Sequence, residues 1–278
     1  MISNGDKVNL FDFDPYNGKN KIQKASQYKA KNEMFYYGKP IDDFVDYIRK
    51  LKNKDIDEVF ITATITFHFP PEHLQMLIKK IRDVFGNIKI TFGGLFPTLC
   101  PDEFKKLENV EVHVGPYYTA DGLRPLIEMT SETENAIMRV VKGCPRTCSY
   151  CVVPQLEGRI LTHYQKENII KHFQEFYAIG FTNYKFWDSN ILFGRENLYM
   201  LLDYLVDYGY TDSLTIDFNY GLEFALIDDE FIERMKKFAL KNSLYVPLES
   251  SEYEIFKDKF HRPSTHLGHI TKAVRKLQ

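Results

Sequence analysis

A chain of 278 residues, 44% hydrophobic and 27% charged, carries enough apolar material for a large core and needs no disulfide staples. Its 36 basic and 38 acidic side chains leave a formal net charge of −2, which excludes a general electrostatic grip on nucleic acid or anionic lipid. No stretch approaches the roughly 18 consecutive apolar residues that span a bilayer. The opening Met1-Ile2-Ser3-Asn4-Gly5-Asp6-Lys7 lacks a basic-then-apolar leader, so a cytoplasmic location is expected.

Taken in chain order, Val8 to Phe13 reads as an opening strand, followed by a turn at Asp14-Pro15-Tyr16-Asn17-Gly18 and a helix from Ile22 to Lys31. Asp42 to Lys52 has a helical period, with Phe44, Val45, Ile48 and Leu51 on one face. Val59 to Ala63 is β-branched and apolar, a buried strand. Pro71 to Phe85 is a helix with Leu74, Leu77, Ile78, Ile81 and Phe85 on one stripe. Ile88 to Phe92 is the next strand and ends in Gly93-Gly94. Pro101 to Lys106 is a short helix, and Val110 to Val114 a further strand. Strands and helices taking turns predict a parallel sheet, whose ligands lie at the carboxyl ends of the strands.

The polar run Thr130 to Asn135 is the predicted linker. Beyond it the alternation restarts. Strands are expected at Ile137 to Val141, Tyr184 to Trp187, Leu214 to Phe218 and Leu244 to Leu248. Helices are expected at Lys166 to Ala178, Arg195 to Tyr208 and Asp228 to Leu240, with a last one from about Thr265. This organisation gives a doubly wound, flavodoxin- or Rossmann-like domain over 1–130 and a second α/β domain over 136–278.

The first of those later strands runs into Gly143-Cys144-Pro145-Arg146-Thr147-Cys148-Ser149-Tyr150-Cys151. Three thiolates spaced C-x3-C-x2-C on one short loop can each hold one iron of a cubane cluster and leave the fourth iron open to a chelating amino-carboxylate. The alternative is structural zinc, with His163 as fourth ligand, although zinc sites usually show paired C-x2-C arms and no second arm is present. Cys100 stands apart and reads as a small buried residue.

With an aromatic residue before its last cysteine, this loop resembles the signature of the radical S-adenosylmethionine (SAM) superfamily. The run from Gly143 to Gly158, together with Lys185-Phe186-Trp187-Asp188-Ser189-Asn190 and Leu248-Glu249-Ser250-Ser251, resembles the branch with a cobalamin-binding-like domain ahead of the radical domain. The resemblance implies a partial (β/α) barrel over 136–278, with a [4Fe–4S] cluster on Cys144, Cys148 and Cys151. It implies reductive cleavage of SAM to methionine and a 5′-deoxyadenosyl radical, acting on a small-molecule or peptide substrate. A flavodoxin or ferredoxin would supply the electron. Carried over by position, Tyr150 lies near the adenine and Asp188 and Asn190 near the amino-carboxylate. Glu249 and Ser250 lie near the ribose or amino group. Each has a structural reading as well: Tyr150 as packing, Asp188 as a turn or cap residue, Glu249 as half of an ion pair.

The chain departs from the family in three places. The Asp-x-His-x-x-Gly loop that offers cobalt a lower ligand is absent. Its equivalent reads Asp12-Phe13-Asp14-Pro15-Tyr16-Asn17-Gly18, and His68 in the next loop region is more often a hydrogen-bonded loop residue than a ligand. Cobalamin binding therefore stays open, and cobalamin-dependent methyl transfer is the alternative function, beside a non-catalytic cluster-binding partner. In Ile216-Asp217-Phe218-Asn219-Tyr220-Gly221-Leu222-Glu223 the resemblance implies an arginine shortly after the glycine, where this chain has Ala225. Finally, four strand–helix units follow the linker where the family has six, so a longer gene product is expected. Methylthiolation of RNA is not expected, since no second three-cysteine cluster or basic appendage is present.

Overall fold

The computed structural model describes residues 9–11, 28–29, 35–36, 41–63, 71–116, 135–218 and 222–238, and six single positions beyond them. The chain divides into two compact units, the first formed mainly by Met1–Gly115 and the second mainly by Glu134–Gln278.

The first unit opens with a short antiparallel pair, β1 (Tyr28–Lys29) and β2 (Phe35–Tyr36). A helix is predicted across Tyr28 and Lys29; the structure instead pairs them with Phe35 and Tyr36, because a partner strand six residues on satisfies the same backbone groups. Next come α1 (Ile41–Lys50), β3 (Glu58–Thr62), α2 (Pro71–Phe85), β4 (Lys89–Gly93), α3 (Leu95–Leu99), α4 (Pro101–Lys105) and β5 (Glu111–Val112). β3, β4 and β5 form one parallel sheet in that order. β4 is its middle strand and buries Ile90, Thr91 and Phe92 in succession, as a strand covered on both faces must. α1 buries Phe44, Val45 and Ile48, with Asp42 and Asp43 in its first turn and Arg49 and Lys50 in its last, complementing the helix dipole. α2 buries Leu74, Leu77, Ile78 and Ile81 at the spacing of a helical stripe. Phe104 fills the space between Phe92 and Phe96. Gly94 has φ of 95°, and a Cβ there would meet the Thr62 methyl at 2.9 Å, so the turn after β4 is tight against β3.

The second unit is built on β6 (Asn135–Met138), β9 (Asn183–Phe186) and β10 (Thr215–Phe218), parallel and in sequential order, with Asn135, Asn183 and Thr215 level. Between β6 and β9 lie β7 (Val141–Lys142), α5 (Val153–Leu156), β8 (Thr162–His163) and α6 (Lys166–Ala178). α7 (Arg195–Asp207) joins β9 to β10, and α8 (Asp229–Met235) follows β10. Ala136, Met138, Tyr184, Phe186, Ile216 and Phe218 alternate along the strands and are buried in one core with the inward faces of the helices. α6 contributes Ile169, Phe173 and Phe176, α7 contributes Leu198, Leu201, Leu202 and Leu205, and α8 contributes Phe231, Ile232 and Met235. Asp228 caps α8 by accepting from the Phe231 N–H at 2.9 Å.

Several expectations change here. Cys100, expected to be buried, is exposed, and residues 9–11 of the expected opening strand are not in a strand. The strand predicted from Ile137 to Val141 is two strands: β6 stops at Met138, and Val141 turns away to pair antiparallel with His163. The helix predicted to run to Leu240 ends at Met235 within the described residues, and α3, α5 and β8 carry no period long enough to announce them. The calls on Asp12 to Gly18, most of Ile22 to Lys31, Thr66 to His68, most of the linker, Leu244 to Leu248 with Glu249 and Ser250, and nearly all of the last helix lie outside the described residues; Thr271 and Arg275 within that last helix are helical. No described helix is long and apolar enough to cross a membrane.

Candidate functional site

Because β6, β9 and β10 are parallel, the segments that follow them emerge on one edge of the sheet: 139–151 after β6, 187–194 after β9 and 222–223 after β10. The three cysteines occupy the first of these. Cys144 is buried, Cys148 and Cys151 are half-buried, and none of the three is in a disulfide. β7 and β8 close the base of their loop by pairing Val141 with His163 and Lys142 with Thr162. Gly143 enters the loop with φ of 89°, and a Cβ there would overlap the Ile160 carbonyl oxygen. The Cys144 N–H then donates to the Gly158 carbonyl at 3.2 Å, and the Cys151 N–H to the Cys148 carbonyl at 3.2 Å.

Beneath the loop, Asp188 explains why the predicted strand breaks. Its Oδ1 accepts from the N–H groups of both Val140 and Val141 at 2.7 Å, while the Trp187 N–H donates to the Met138 carbonyl at 3.0 Å. Asn197 on α7 donates to the Val140 carbonyl at 3.1 Å and the Tyr164 carbonyl at 2.8 Å. The backbone polar groups at the bend thus find partners outside any sheet ladder. Gly194 lets this part of the chain approach closely, since a Cβ there would lie 2.7 Å from the Val141 Cβ.

Two carboxylates flank the loop. Glu157 accepts from Arg139 Nη2 at 2.6 Å, from Ser189 Oγ at 2.7 Å and from the Gly143 N–H at 3.3 Å. Glu223 accepts a bidentate pair from Arg146, Nη2 at 2.6 Å and Nε at 3.2 Å, and a further bond from Asn190 Nδ2. The Arg146 guanidinium also sits 5.1 Å from the Phe193 ring centre.

The structure therefore brings Cys144, Cys148, Cys151, Tyr150, Asp188 and Asn190 onto one edge. Tyr150 is 46% exposed beside the last cysteine. Asp188 is buried and commits one oxygen to the backbone; its other oxygen, Oδ2, has no hydrogen-bond partner among the described residues. Asn190 is buried and committed to Glu223. On the face of the sheet opposite the helices, Asp217 pairs with Lys185 at 3.7 Å. His163 is exposed on β8. Sequence reasoning passed over Glu157, Arg146 and Asn197 as functional residues. Asn197 could have been found, since it is a polar residue on the apolar stripe of α7; nothing local marks the other two.

Burial pushes the Cys144 thiol pKa up, the neighbouring sulfurs of Cys151 and Cys148 and the Glu223 carboxylate push it further, and a hydrogen bond from the Arg146 backbone opposes them. Metal binding takes the thiolate form and reverses that balance. Among the described residues no group of three or more His, Cys, Asp or Glu side chains could hold one metal ion between them. A cubane asks for something else, three thiolates that each take a separate iron, and three soft sulfur donors on one supported loop suit it. Burial also drives the Asp188 carboxyl up to about 7, against the Val141 and Val140 N–H groups and the charge of Arg139, which hold it down.

Fold and site together define a two-unit α/β protein with a three-thiol loop at the carboxyl edge of a parallel sheet. No protein-family model matches the sequence. The chain is 23% identical over 244 residues to the ribosomal protein uS12 methylthiotransferase RimO of Christiangramia forsetii, covering 86% of this chain and 49% of that protein. It is 25% identical over 209 residues to the tRNA-2-methylthio-N(6)-dimethylallyladenosine synthase of Fusobacterium nucleatum, covering 69% and 45%. The chain thus spans about half the length of these curated relatives. Its fold matches the radical S-adenosylmethionine methyltransferase TsrM of Kitasatospora setae with a TM-score of 0.69 at 12% identity, over 85% of this chain and 57% of that one. A second structure of that protein, with cobalamin and a [4Fe-4S] cluster bound, matches with a TM-score of 0.54 at 14% identity, over 71% and 51%. With its C-x3-C-x2-C loop, the chain is thus similar in sequence to methylthiotransferases and in fold to a radical SAM methyltransferase, one structure of which holds cobalamin and a [4Fe-4S] cluster.

Proposed function

We propose that this protein is a cytoplasmic radical SAM enzyme in which Cys144, Cys148 and Cys151 hold a [4Fe–4S] cluster. When bound, that cluster supplies the electron that opens SAM to methionine and a 5′-deoxyadenosyl radical. The observation that carries the reading is three cysteines, none in a disulfide, on one loop at the carboxyl edge of the second sheet. The chain's own contribution is to hold that loop. Asp188 pins the backbone just ahead of it, and Glu157 and Glu223 brace its two sides. In this reading Tyr150, exposed next to Cys151, lies near the adenine and its backbone reads the base edge. Asn190 faces the same edge, and Glu249 and Ser250 complete the proposed SAM contacts. In this reading 1–130 is the cobalamin-binding-like domain, and 136–278 carries a partial (β/α) barrel begun by β6, β9 and β10. The electron comes from a flavodoxin or ferredoxin, and the radical abstracts hydrogen from a small-molecule or peptide substrate.

Anaerobic reconstitution with iron and sulfide tests this. The protein should turn brown, bleach on reduction, and form 5′-deoxyadenosine with SAM and dithionite; Cys148→Ala should take up less iron and lose that activity. A colourless wild type, or colour unchanged by Cys148→Ala, overturns the reading. The likeness in fold to a cobalamin-bound methyltransferase favours a second, narrower reading, cobalamin-dependent methyl transfer. Retention of a corrinoid on purification separates it from methylthio transfer, the reaction named for the sequence relatives, in which the transferred group carries sulfur.

A further inference from the structure

We infer that Arg146 and Glu223 form a charge-compensated strut that sets the reduction potential of a cluster on the cysteine loop, an inference that rests on the function proposed above. Arg146 lies between Cys144 and Cys148, and its guanidinium reaches Glu223, 77 residues away, through two hydrogen bonds of 2.6 and 3.2 Å. The pair is shielded: the Glu223 side chain is 8% exposed and that of Arg146 29%. Asn190 donates to the carboxylate, and the Phe193 ring covers the guanidinium at 5.1 Å. The segments after β6, β9 and β10 thus meet in one contact beside the ligand loop.

The physical consequence follows from where the two charges sit. Out of bulk water a charge acts over several ångströms with little screening. Together the two nearly cancel at the cluster; singly they do not. Reduction adds one electron to a centre already ligated by thiolates, and the net charge around such a cluster is one of the determinants of its potential. Removing the carboxylate leaves a cation that favours the reduced state. Removing the guanidinium leaves an anion that opposes it. Positioning and tuning are therefore combined in one pair.

The test is a four-member cycle of wild type, Glu223→Gln, Arg146→Gln and the double variant, each reconstituted anaerobically. Iron and sulfide are counted, and the potential is read by titration monitored by electron paramagnetic resonance. We expect Glu223→Gln to shift the potential upward, Arg146→Gln downward, and the double variant to return close to wild type. A strut that only held the loop would move both single variants the same way, or neither, and would not be rescued by removing the second charge; that pattern overturns the inference. If Glu223→Gln takes up no iron, Arg146→Lys and Arg146→Gln decide it. Lysine should keep the wild-type potential and glutamine should lower it, and equal potentials refute it. Wild type that holds no cluster sinks the proposed function and this inference together. Loaded proteins with unchanged potentials sink only the inference.

Discussion

The Asp188 carboxylate offers a sharp test of how the cysteine loop is held. Asp188→Asn keeps an acceptor for the Val140 and Val141 N–H groups but removes the titration. In the folded protein the Asp188 pKa is raised from 3.8 to about 7, first by burial. A carboxyl with a raised pKa binds its proton more tightly folded than unfolded, so its contribution to stability is full below pH 3.8 and is lost as pH rises through about 7. At about 1.4 kcal/mol per pH unit, the difference in stability between wild type and Asp188→Asn should change by on the order of 4 kcal/mol across that window, with the variant gaining on wild type toward neutral pH. The assay is urea unfolding of the metal-free protein at several pH values. Emission of the only tryptophan, Trp187, reports on it, since that residue precedes Asp188 in the chain. Every other titrating group cancels in the difference. Parallel stability curves for the two proteins from pH 4 to 8 would refute the reasoning. Asp188→Ala is the control: it strands both buried N–H groups and should be about 2–6 kcal/mol less stable than Asp188→Asn at every pH, since neither variant titrates at this position.

Other perturbations address the same scaffold. Gly143→Ala forces a side chain into a left-handed backbone and onto the Ile160 carbonyl, and should destabilise by about 1–3 kcal/mol or more in a thermal melt; an unchanged melting temperature contradicts the turn geometry. Gly194→Ala places a methyl within 2.7 Å of the Val141 Cβ and should cost about 1–3 kcal/mol through overpacking, read by denaturant midpoint. Asn197→Leu leaves the Val140 and Tyr164 carbonyls without their donor and should cost about 2–4 kcal/mol, with faster amide exchange around β8 as a local readout.

The period of the sequence is a local quantity, and what it could determine was local. The stripe Leu74, Leu77, Ile78 and Ile81 marked α2 to its terminal residues, and Lys166 to Ala178 marked α6, because 3.6-residue spacing is written in the side chains themselves. The alternation of strands and helices announced parallel sheets. The spacing of Cys144, Cys148 and Cys151 marked the loop proposed here as the cluster site, since three thiols on one turn are legible without any fold. Other features depended on residues far apart in the chain. The strand predicted through Val141 is cut at Met138 because Asp188, 48 residues away from Val140, takes its N–H. Glu223 acquires a role only when folding carries it 77 residues back to Arg146. A hydrogen bond across such separations leaves no periodic trace. Tertiary packing therefore decided how the cysteine loop is bent, braced and charged, because only burial makes an unpartnered backbone group or carboxylate costly enough to dictate its neighbours.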